Sequence, residues 1–208
     1  MSDRIEDRKM SVSEVKSCLL CGVGGQGTVL ASRIIAAAAM AKGLHAKTAE
    51  TIGMAQRGGS VVSHVRIGEE VASPMIPLGT ADVIIGFEPG EAAANIKYLK
   101  EGGVLILSSR QVKPVTASLG QSAYDGADCL AWLQDKGSRC IVIDPEEIIQ
   151  ACGSPKVLNV AVTGALAASG VMGLSIEDME AALQMRMKPA LLEMNRKALH
   201  MGAQCAAE

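Results

Sequence analysis

Aromatic side chains, strong net charge and long apolar runs are all scarce in this sequence of 208 residues. Only 2% of the residues are aromatic, so a core has to be built from Ala, Val, Ile, Leu and Met, although hydrophobic residues make up 49% of the chain. The net charge of −2 lacks the basic character that nucleic-acid binding requires. The composition therefore predicts an ordinary globular protein with no nucleic-acid partner.

Membrane and export signals are also missing. No apolar run reaches the roughly 18–20 residues of a membrane span, and the charged first ten residues lack the apolar stretch of a secretory signal. We therefore expect a cytoplasmic protein without membrane contact, whose six cysteines are reduced thiols. Cys18 and Cys21 form a C-x-x-C pair on a predicted strand, where they point to opposite faces, so we expect core thiols and no metal site.

Strand-like and helix-like segments alternate along most of the chain. This pattern predicts a three-layer α/β/α Rossmann-like fold with a mostly parallel, mixed sheet and a helical C-terminal third. We expect one domain over residues 1–208, with a flexible start at 1–14 and a helical part at 158–204. Gly90–Lys100 is predicted as a helix that ends at Glu101-Gly102-Gly103. The predicted strands are Ser17–Val23, Ala46–Ile52, Ser60–Ile67, Asp82–Phe87, Val104–Ser108 and Arg139–Ile143.

A glycine-rich turn joins the first strand to the first helix, which is predicted over Thr28–Lys42. The run Gly22-Val23-Gly24-Gly25-Gln26-Gly27 satisfies the G-x-G-x-x-G pattern. Glycines allow close backbone approach, and the following helix offers free N–H groups to an anion. Glu50 lies 23 residues after Gly27, about where a dinucleotide-binding protein places its ribose-binding acid.

The spacing after Glu50 argues against a dinucleotide site. Only ten residues, Thr51–Ser60, precede the next strand-like run, whereas a crossover containing a helix needs roughly 10–12 residues or more. We expect the third strand to arrive by an irregular loop and to run antiparallel. Two alternatives remain open: a free-standing Rossmann-like nucleotide-binding protein or NAD-dependent oxidoreductase that uses the Gly22–Gly27 loop, and a turn whose glycines only allow close packing.

A second loop, Thr51–Ser60, carries three glycines, a glutamine and an arginine. Together, GVGGQGTVLASRIIAAAA and ETIGMAQRGGSVVSHVRIG resemble the small (beta) subunit of indolepyruvate ferredoxin oxidoreductase and, more broadly, the gamma domain of the 2-oxoacid (pyruvate/ketoisovalerate):ferredoxin oxidoreductases. The continuation ADVIIGFEPGEAAANIKYLKEGGVLILSS also matches the family pattern. The resemblance covers roughly residues 17–200.

The resemblance implies a subunit of an enzyme that oxidatively decarboxylates 2-oxoacids, most closely aryl pyruvates, in anaerobes. It places thiamine diphosphate, Mg²⁺ and iron–sulfur clusters on a large partner subunit, which passes electrons to ferredoxin, while coenzyme A accepts the acyl group. The sequence has no thiamine diphosphate signature and no ferredoxin-type cysteine run. We therefore expect this chain to be non-catalytic and inactive alone, and it is a candidate homo-oligomer in isolation.

No catalytic or metal-binding residue is predicted. The candidate residues for cofactor binding or partner contact lie in the two loops: Gly22, Gly24, Gly25, Gln26, Gly27, Gln56, Arg57, Gly58, Gly59 and Ser60. Within the second loop, the Arg57 guanidinium suits a carboxylate or phosphate. His64 is expected to be a hydrogen-bonded structural residue, and Glu88 an acid at a helix N-terminus.

Overall fold

Six strands form the central sheet of the protein. The computed structural model describes residues 14–52, 59–112, 124–135 and 139–206. The strands are β1 (Lys16–Val23), β2 (His45–Ile52), β3 (Ser60–Gly68), β4 (Ala81–Gly86), β5 (Leu99–Ser108) and β6 (Arg139–Ile143). The helices are α1 (Thr28–Ala41), α2 (Pro89–Asn95), α3 (Gly126–Gln134), α4 (Pro145–Cys152), α5 (Leu158–Ser169), α6 (Ile176–Arg186) and α7 (Pro189–Gln204).

The sheet is mixed, and its strand order is β2-β3-β1-β4-β5-β6. Strands β1, β4, β5 and β6 pair in parallel, whereas β3 is antiparallel to both of its neighbours. The predicted antiparallel third strand is therefore confirmed. Because β3 lies between β1 and β2, the second strand in the chain sits at the edge of the sheet.

Helices cover both faces of the sheet, which confirms the three-layer fold. One core lies between the sheet and the group α1, α4, α5, α6 and α7, and it includes Cys18, Ile34 and Ile106. The other core lies under α2 and α3 and includes Cys21 and Leu105. No helix of the described ranges is long and apolar enough to cross a membrane.

The predicted helix Gly90–Lys100 is wrong in extent. The segment Gly90–Lys100 contains only the short α2 and a 3₁₀ turn at Ile96–Tyr98, because Leu99 already pairs with Ala81 and belongs to β5. Glu101, Gly102 and Gly103 are not a helix stop. They lie within β5, where the register with β4 shifts.

The C-terminal third, residues 158–204, is helical as predicted and consists of the three helices α5, α6 and α7. Gly170 and Gly173 have positive φ values and end α5, which separates it from α6. Ser175 and Asp178 form a reciprocal capping box at the start of α6.

Helices α5 and α7 cross in direct backbone contact. A Cβ atom on Gly164 would lie 1.9 Å from the carbonyl oxygen of Leu199, and one on Gly202 would lie 1.9 Å from that of Ala161. Any larger residue at either position would force the helices apart. Since both helices line the cleft described below, this crossing fixes the separation of its walls.

Candidate functional site

The glycine turn lies at the carboxyl end of β1, as predicted. Its last residue, Gly27, has a φ of +88° and precedes α1. The Gly24 N–H donates to the Gly59 carbonyl at 2.8 Å, and the Gln26 N–H donates to the Val23 carbonyl at 3.1 Å. The turn is therefore fastened both internally and to the end of the second loop.

The Gln26 side chain fills the space between β1 and β4. Its Oε1 accepts a hydrogen bond from the Val23 N–H at 2.7 Å, and its Nε2 donates to the Phe87 carbonyl at 3.0 Å. A Cβ on Gly22 would lie only 2.7 Å from this Oε1. The chain leaves β1 and β4 toward opposite faces of the sheet, and ligands of open α/β sheets bind at such a point. Here a side chain of the protein itself occupies it.

The position of Glu50 also differs from that of a ribose-binding acid. Glu50 pairs with Ser63 in the β2–β3 ladder, so β3 separates it from the glycine turn. Two strand spacings of about 4.8 Å each put β2 roughly 10 Å from β1. In a dinucleotide-binding fold the acid follows the strand beside β1. The arrangement therefore does not favour a dinucleotide at this turn.

The described end of the second loop meets the glycine turn. Gly59 accepts the hydrogen bond from Gly24, and the Ser60 hydroxyl donates to Glu91 Oε2 at 2.6 Å. The other predicted residues of this loop, Gln56, Arg57 and Gly58, lie outside the described residues. The two loops are therefore in contact where the structure describes both.

Glu88 and Glu91 organise the start of α2 beside this junction. Glu88 is fully buried and caps the helix by accepting from the Glu91 N–H at 2.9 Å, as predicted for a helix N-terminal acid. The Tyr124 hydroxyl donates to Glu88 Oε1. Burial raises the pKa of Glu91, against the hydrogen bond from Ser60, which lowers it. This cluster links α2, the second loop and Tyr124.

His64 is a structural residue, as predicted. It is buried in β3, its Nδ1 accepts a hydrogen bond from the Ile76 N–H at 3.3 Å, and its ring meets Tyr98 edge-on at 5.7 Å. Burial lowers the pKa of His64. The neutral ring therefore anchors the segment that connects β3 to β4.

The two cysteines of the C-x-x-C pair lie on opposite faces of the sheet, as predicted. Cys18 and Cys21 are both fully buried, each in a different core on opposite sides of the sheet, which confirms the predicted core thiols. Burial raises the pKa of both thiols, which favours the protonated form over the thiolate that binds metals. Among the described residues, no group of three or more His, Cys, Asp or Glu is arranged to hold a metal ion.

A cleft of about 970 Å³ opens between the start of α1 and the helices α5 and α7. Gly25, Gln26 and Gly27 form part of one wall. The other walls of the cleft consist mainly of cationic and large apolar side chains, together with Asn159 and Asn195. The cationic ones are Arg110, Lys156, Arg186 and Lys188, and the large apolar ones include Leu30, Leu158, Met187, Leu191 and Met194.

The cleft attracts anions. No acidic residue occurs among the described residues that line it, and within that part of the chain none of the four cations forms an ion pair. Helix α1 begins here without a capping side chain and without an acid in its first turn, so its free N–H groups add positive potential. A ligand with phosphate groups and an apolar portion fits these walls.

The four cations were not predicted as a group. Arg110 follows β5, Lys156 lies in the 3₁₀ turn Pro155–Val157, and Arg186 and Lys188 surround the α6–α7 junction. No short motif contains them, because only the packing of distant segments brings them to one cleft. The sequence feature that does point to an anion at this place is the start of α1 after Gly27, where the first turn contains no acid.

Comparisons with known proteins agree on one family. Residues 17–205 match the pyruvate ferredoxin/flavodoxin oxidoreductase family. Indolepyruvate oxidoreductase subunit IorB of Archaeoglobus fulgidus is 43% identical over 185 residues, which cover 88% of this chain and 92% of that protein. The same-named subunit of Thermococcus kodakarensis is 35% identical over 192 residues, or 91% of this chain and 95% of its own.

Solved structures share the fold. The gamma subunit of a keto/oxoacid ferredoxin oxidoreductase from Geobacter sulfurreducens superposes with a TM-score of 0.68 at 27% identity, covering 92% of this chain and 98% of that one. The 2-oxoglutarate:ferredoxin oxidoreductase of Magnetococcus marinus, with 2-oxoglutarate, coenzyme A and succinyl-CoA bound, gives 0.71 at 20% identity. It shows the fold alone, and the match covers 93% of this chain but 31% of that chain.

Proposed function

Since this chain belongs to the pyruvate ferredoxin/flavodoxin oxidoreductase family, we propose that it is the small, non-catalytic subunit of a 2-oxoacid:ferredoxin oxidoreductase for indolepyruvate or a related aryl pyruvate. The observation that carries the proposal is the 43% identity with IorB across nearly the full length of both chains. The complex would decarboxylate the 2-oxoacid, pass electrons to ferredoxin and transfer the acyl group to coenzyme A.

We assign thiamine diphosphate, Mg²⁺ and the iron–sulfur clusters to a large partner subunit. Those groups supply the decarboxylation and electron transfer when they are bound there. The sequence of this chain has no thiamine diphosphate signature and no ferredoxin-type cysteine run, which supports this division. Ferredoxin would then be reached through the partner.

The contribution of this chain would be to bind coenzyme A. Coenzyme A joins anionic phosphates to an adenine and a pantetheine arm, which matches a cleft with cationic and apolar walls. Lys156, Arg186 and the start of α1 would hold the phosphates, while Leu30 and Leu191 would contact the less polar parts. Bound in this way, coenzyme A would be oriented for acyl transfer on the partner subunit.

The two predicted loops have different parts in this proposal. Gly25, Gln26 and Gly27 form part of the cleft, so they would face coenzyme A. Gly59 and Ser60 are joined to the turn and to α2, so they would hold the second loop beside it for contact with the partner subunit.

Co-expression with and without the large subunit tests the division of labour. We expect reduction of a dye that depends on both the 2-oxoacid and coenzyme A only when the two chains are purified as a complex. The isolated small chain should be inactive with every aryl pyruvate. Oxidation of a 2-oxoacid by this chain alone would refute a non-catalytic role.

Charge reversal in the cleft tests the coenzyme A site. Lys156→Glu should raise the KM for coenzyme A at least about tenfold, since it replaces attraction with repulsion at a phosphate. The KM for the 2-oxoacid should change less than about twofold, because that substrate would bind on the partner. Lys97→Glu is the matched control, since Lys97 is exposed and lies beside Tyr98 rather than in the cleft. If Lys156→Glu and Lys97→Glu changed the KM for coenzyme A equally, the proposed coenzyme A site would be refuted.

A further inference from the structure

Asn159 is an unusual residue of the cleft. It lies in the first turn of α5, is only 7% exposed and lines the cleft wall. Its Oδ1 is buried and has no hydrogen-bond partner among the described residues. A buried polar atom without a partner is costly and rare in folded proteins, so its presence calls for an explanation.

The side-chain amide of Asn159 packs directly against Gly27. A Cβ on Gly27 would lie 2.6 Å from Asn159 Nδ2 and 3.2 Å from its Cγ. Gly27 therefore leaves room for the amide, and the amide sits against the first residue before α1. This places Asn159 beside the free N–H groups at the start of α1, where the phosphate of a ligand would bind.

Asn195 provides a comparison within the same cleft. It is also buried and lines the cleft, but its Nδ2 donates to the Leu191 carbonyl one turn earlier in α7 at 2.7 Å. Asn195 thus serves its own helix. Asn159, in contrast, lies at the start of its helix, and its side-chain oxygen Oδ1 is unpaired. The side-chain amide torsion of asparagine is broad, so Oδ1 can turn toward the cleft.

We infer that Asn159 is a specificity-determining residue that accepts a hydrogen bond from an N–H or O–H group of a nucleotide bound in the cleft. The inference rests on the proposed function and adds to it. The cations and the start of α1 attract any phosphate, whereas Asn159 selects phosphates attached to a group with a hydrogen-bond donor. The selection arises because a ligand with the donor pairs the buried acceptor, whereas a ligand without the donor leaves it as unpaired as in the free protein.

The test compares two probes on the purified complex of small and large subunits. The probes are adenosine 3′,5′-bisphosphate, whose ribose and adenine carry donors beside the phosphates, and inorganic pyrophosphate, which lacks the nucleoside and its donors. Calorimetric titration gives the Kd of each, and their ratio measures the preference for the nucleotide. Asn159→Leu should reduce this preference at least about tenfold, mainly by weakening nucleotide binding. Asn159→Asp retains an oxygen acceptor and should keep the preference, even if both probes bind less tightly.

A thermal unfolding scan without ligand separates this role from a structural one. Asn159→Leu should leave the midpoint unchanged or raise it, because the variant removes an unpaired buried polar atom. Asn195→Leu, the matched control, should lower the midpoint and leave the preference unchanged. A retained preference in Asn159→Leu, or a midpoint lowered as far as in Asn195→Leu, would overturn the inference. Failure of the wild-type complex to bind either probe would instead refute the proposed coenzyme A site.

Discussion

Replacing Gln26 is the most direct probe of the glycine turn. In Gln26→Leu, the Val23 N–H loses its acceptor and the Phe87 carbonyl loses its donor. Each buried group left without a partner costs about 1–3 kcal/mol, and water at the rim of the turn recovers part of this. We therefore expect a loss of about 2–4 kcal/mol in the free energy of unfolding. For a chain of this size, about 2–4 °C per kcal/mol converts this to a fall in Tm of roughly 5–15 °C.

Gln26→Glu adds a dependence on pH. The carboxyl group can accept from the Val23 N–H in either form, but only its protonated form can donate to the Phe87 carbonyl. The folded state therefore raises the pKa of this carboxyl above its unfolded value. Its stabilising bond is fully present below the unfolded pKa of about 4.3 and is lost as pH rises through the higher folded pKa. The difference in the free energy of unfolding between wild type and Gln26→Glu should therefore increase from pH 4 to pH 8.

Urea denaturation at several pH values measures both effects. Gln184→Leu is the control, because Gln184 is exposed on α6 and its replacement should change the free energy of unfolding by less than about 0.5 kcal/mol. A Gln26→Leu protein as stable as the control would refute the role of the side chain as a bridge between β1 and β4. If the loss of stability in Gln26→Glu did not change with pH, this would contradict the assignment of the side chain as the donor to the Phe87 carbonyl.

Two further predictions concern packing and titration away from the turn. Gly164→Ala should destabilise the protein by about 1–3 kcal/mol in chemical denaturation, since its Cβ would lie 1.9 Å from the Leu199 carbonyl. Helix propensity alone would stabilise this variant by about 1 kcal/mol, so a gain would contradict the tight crossing. Because burial lowers the pKa of His64, the stability that its neutral ring contributes should be lost as pH falls through the unfolded value of about 6.5 toward the lower folded pKa. His64→Asn keeps an acceptor for the Ile76 N–H, so it should reduce the dependence of the free energy of unfolding on pH in this range. An unchanged dependence would contradict the role of the neutral His64 ring.

The sheet was predictable because its signals are local. Apolar, β-branched runs such as Asp82–Phe87 mark strands, and the glycine turn marks the passage from β1 to α1. The antiparallel third strand followed from the short stretch of sequence between Glu50 and Val61, which is too short for a crossover that contains a helix. These features depend on spacing and on local conformation, both of which the sequence contains.

The errors arose where tertiary contacts override local signals. Leu99 follows a helical pattern but pairs with Ala81, and the Gly102 region, which resembles a helix stop, becomes a register shift in β5. Similarly, the small residues of α5 indicate a helix but not its partner. The close contact between Gly164 and α7 exists only once the two helices have packed.

The site was predictable in part. The glycine turn was identified, but the bond from Gln26 to Phe87 joins residues 61 positions apart and could not be read from a motif. The cleft cations Arg110, Lys156 and Arg186 come from separate segments with no common pattern. A charge pattern of this kind is visible only when the fold has brought the segments together.

The central claim is that this chain supplies a coenzyme A site to chemistry that occurs on a partner. A single-turnover experiment on the complex separates coenzyme A binding from the chemistry on the partner. It uses the double variant Lys156→Glu/Arg186→Glu in the small subunit. We expect the CO2 released from the 2-oxoacid before coenzyme A is added to match wild type. The coenzyme A concentration that half-saturates acyl transfer should rise at least about tenfold. An unchanged half-saturation, or loss of the initial CO2 release, would contradict the account.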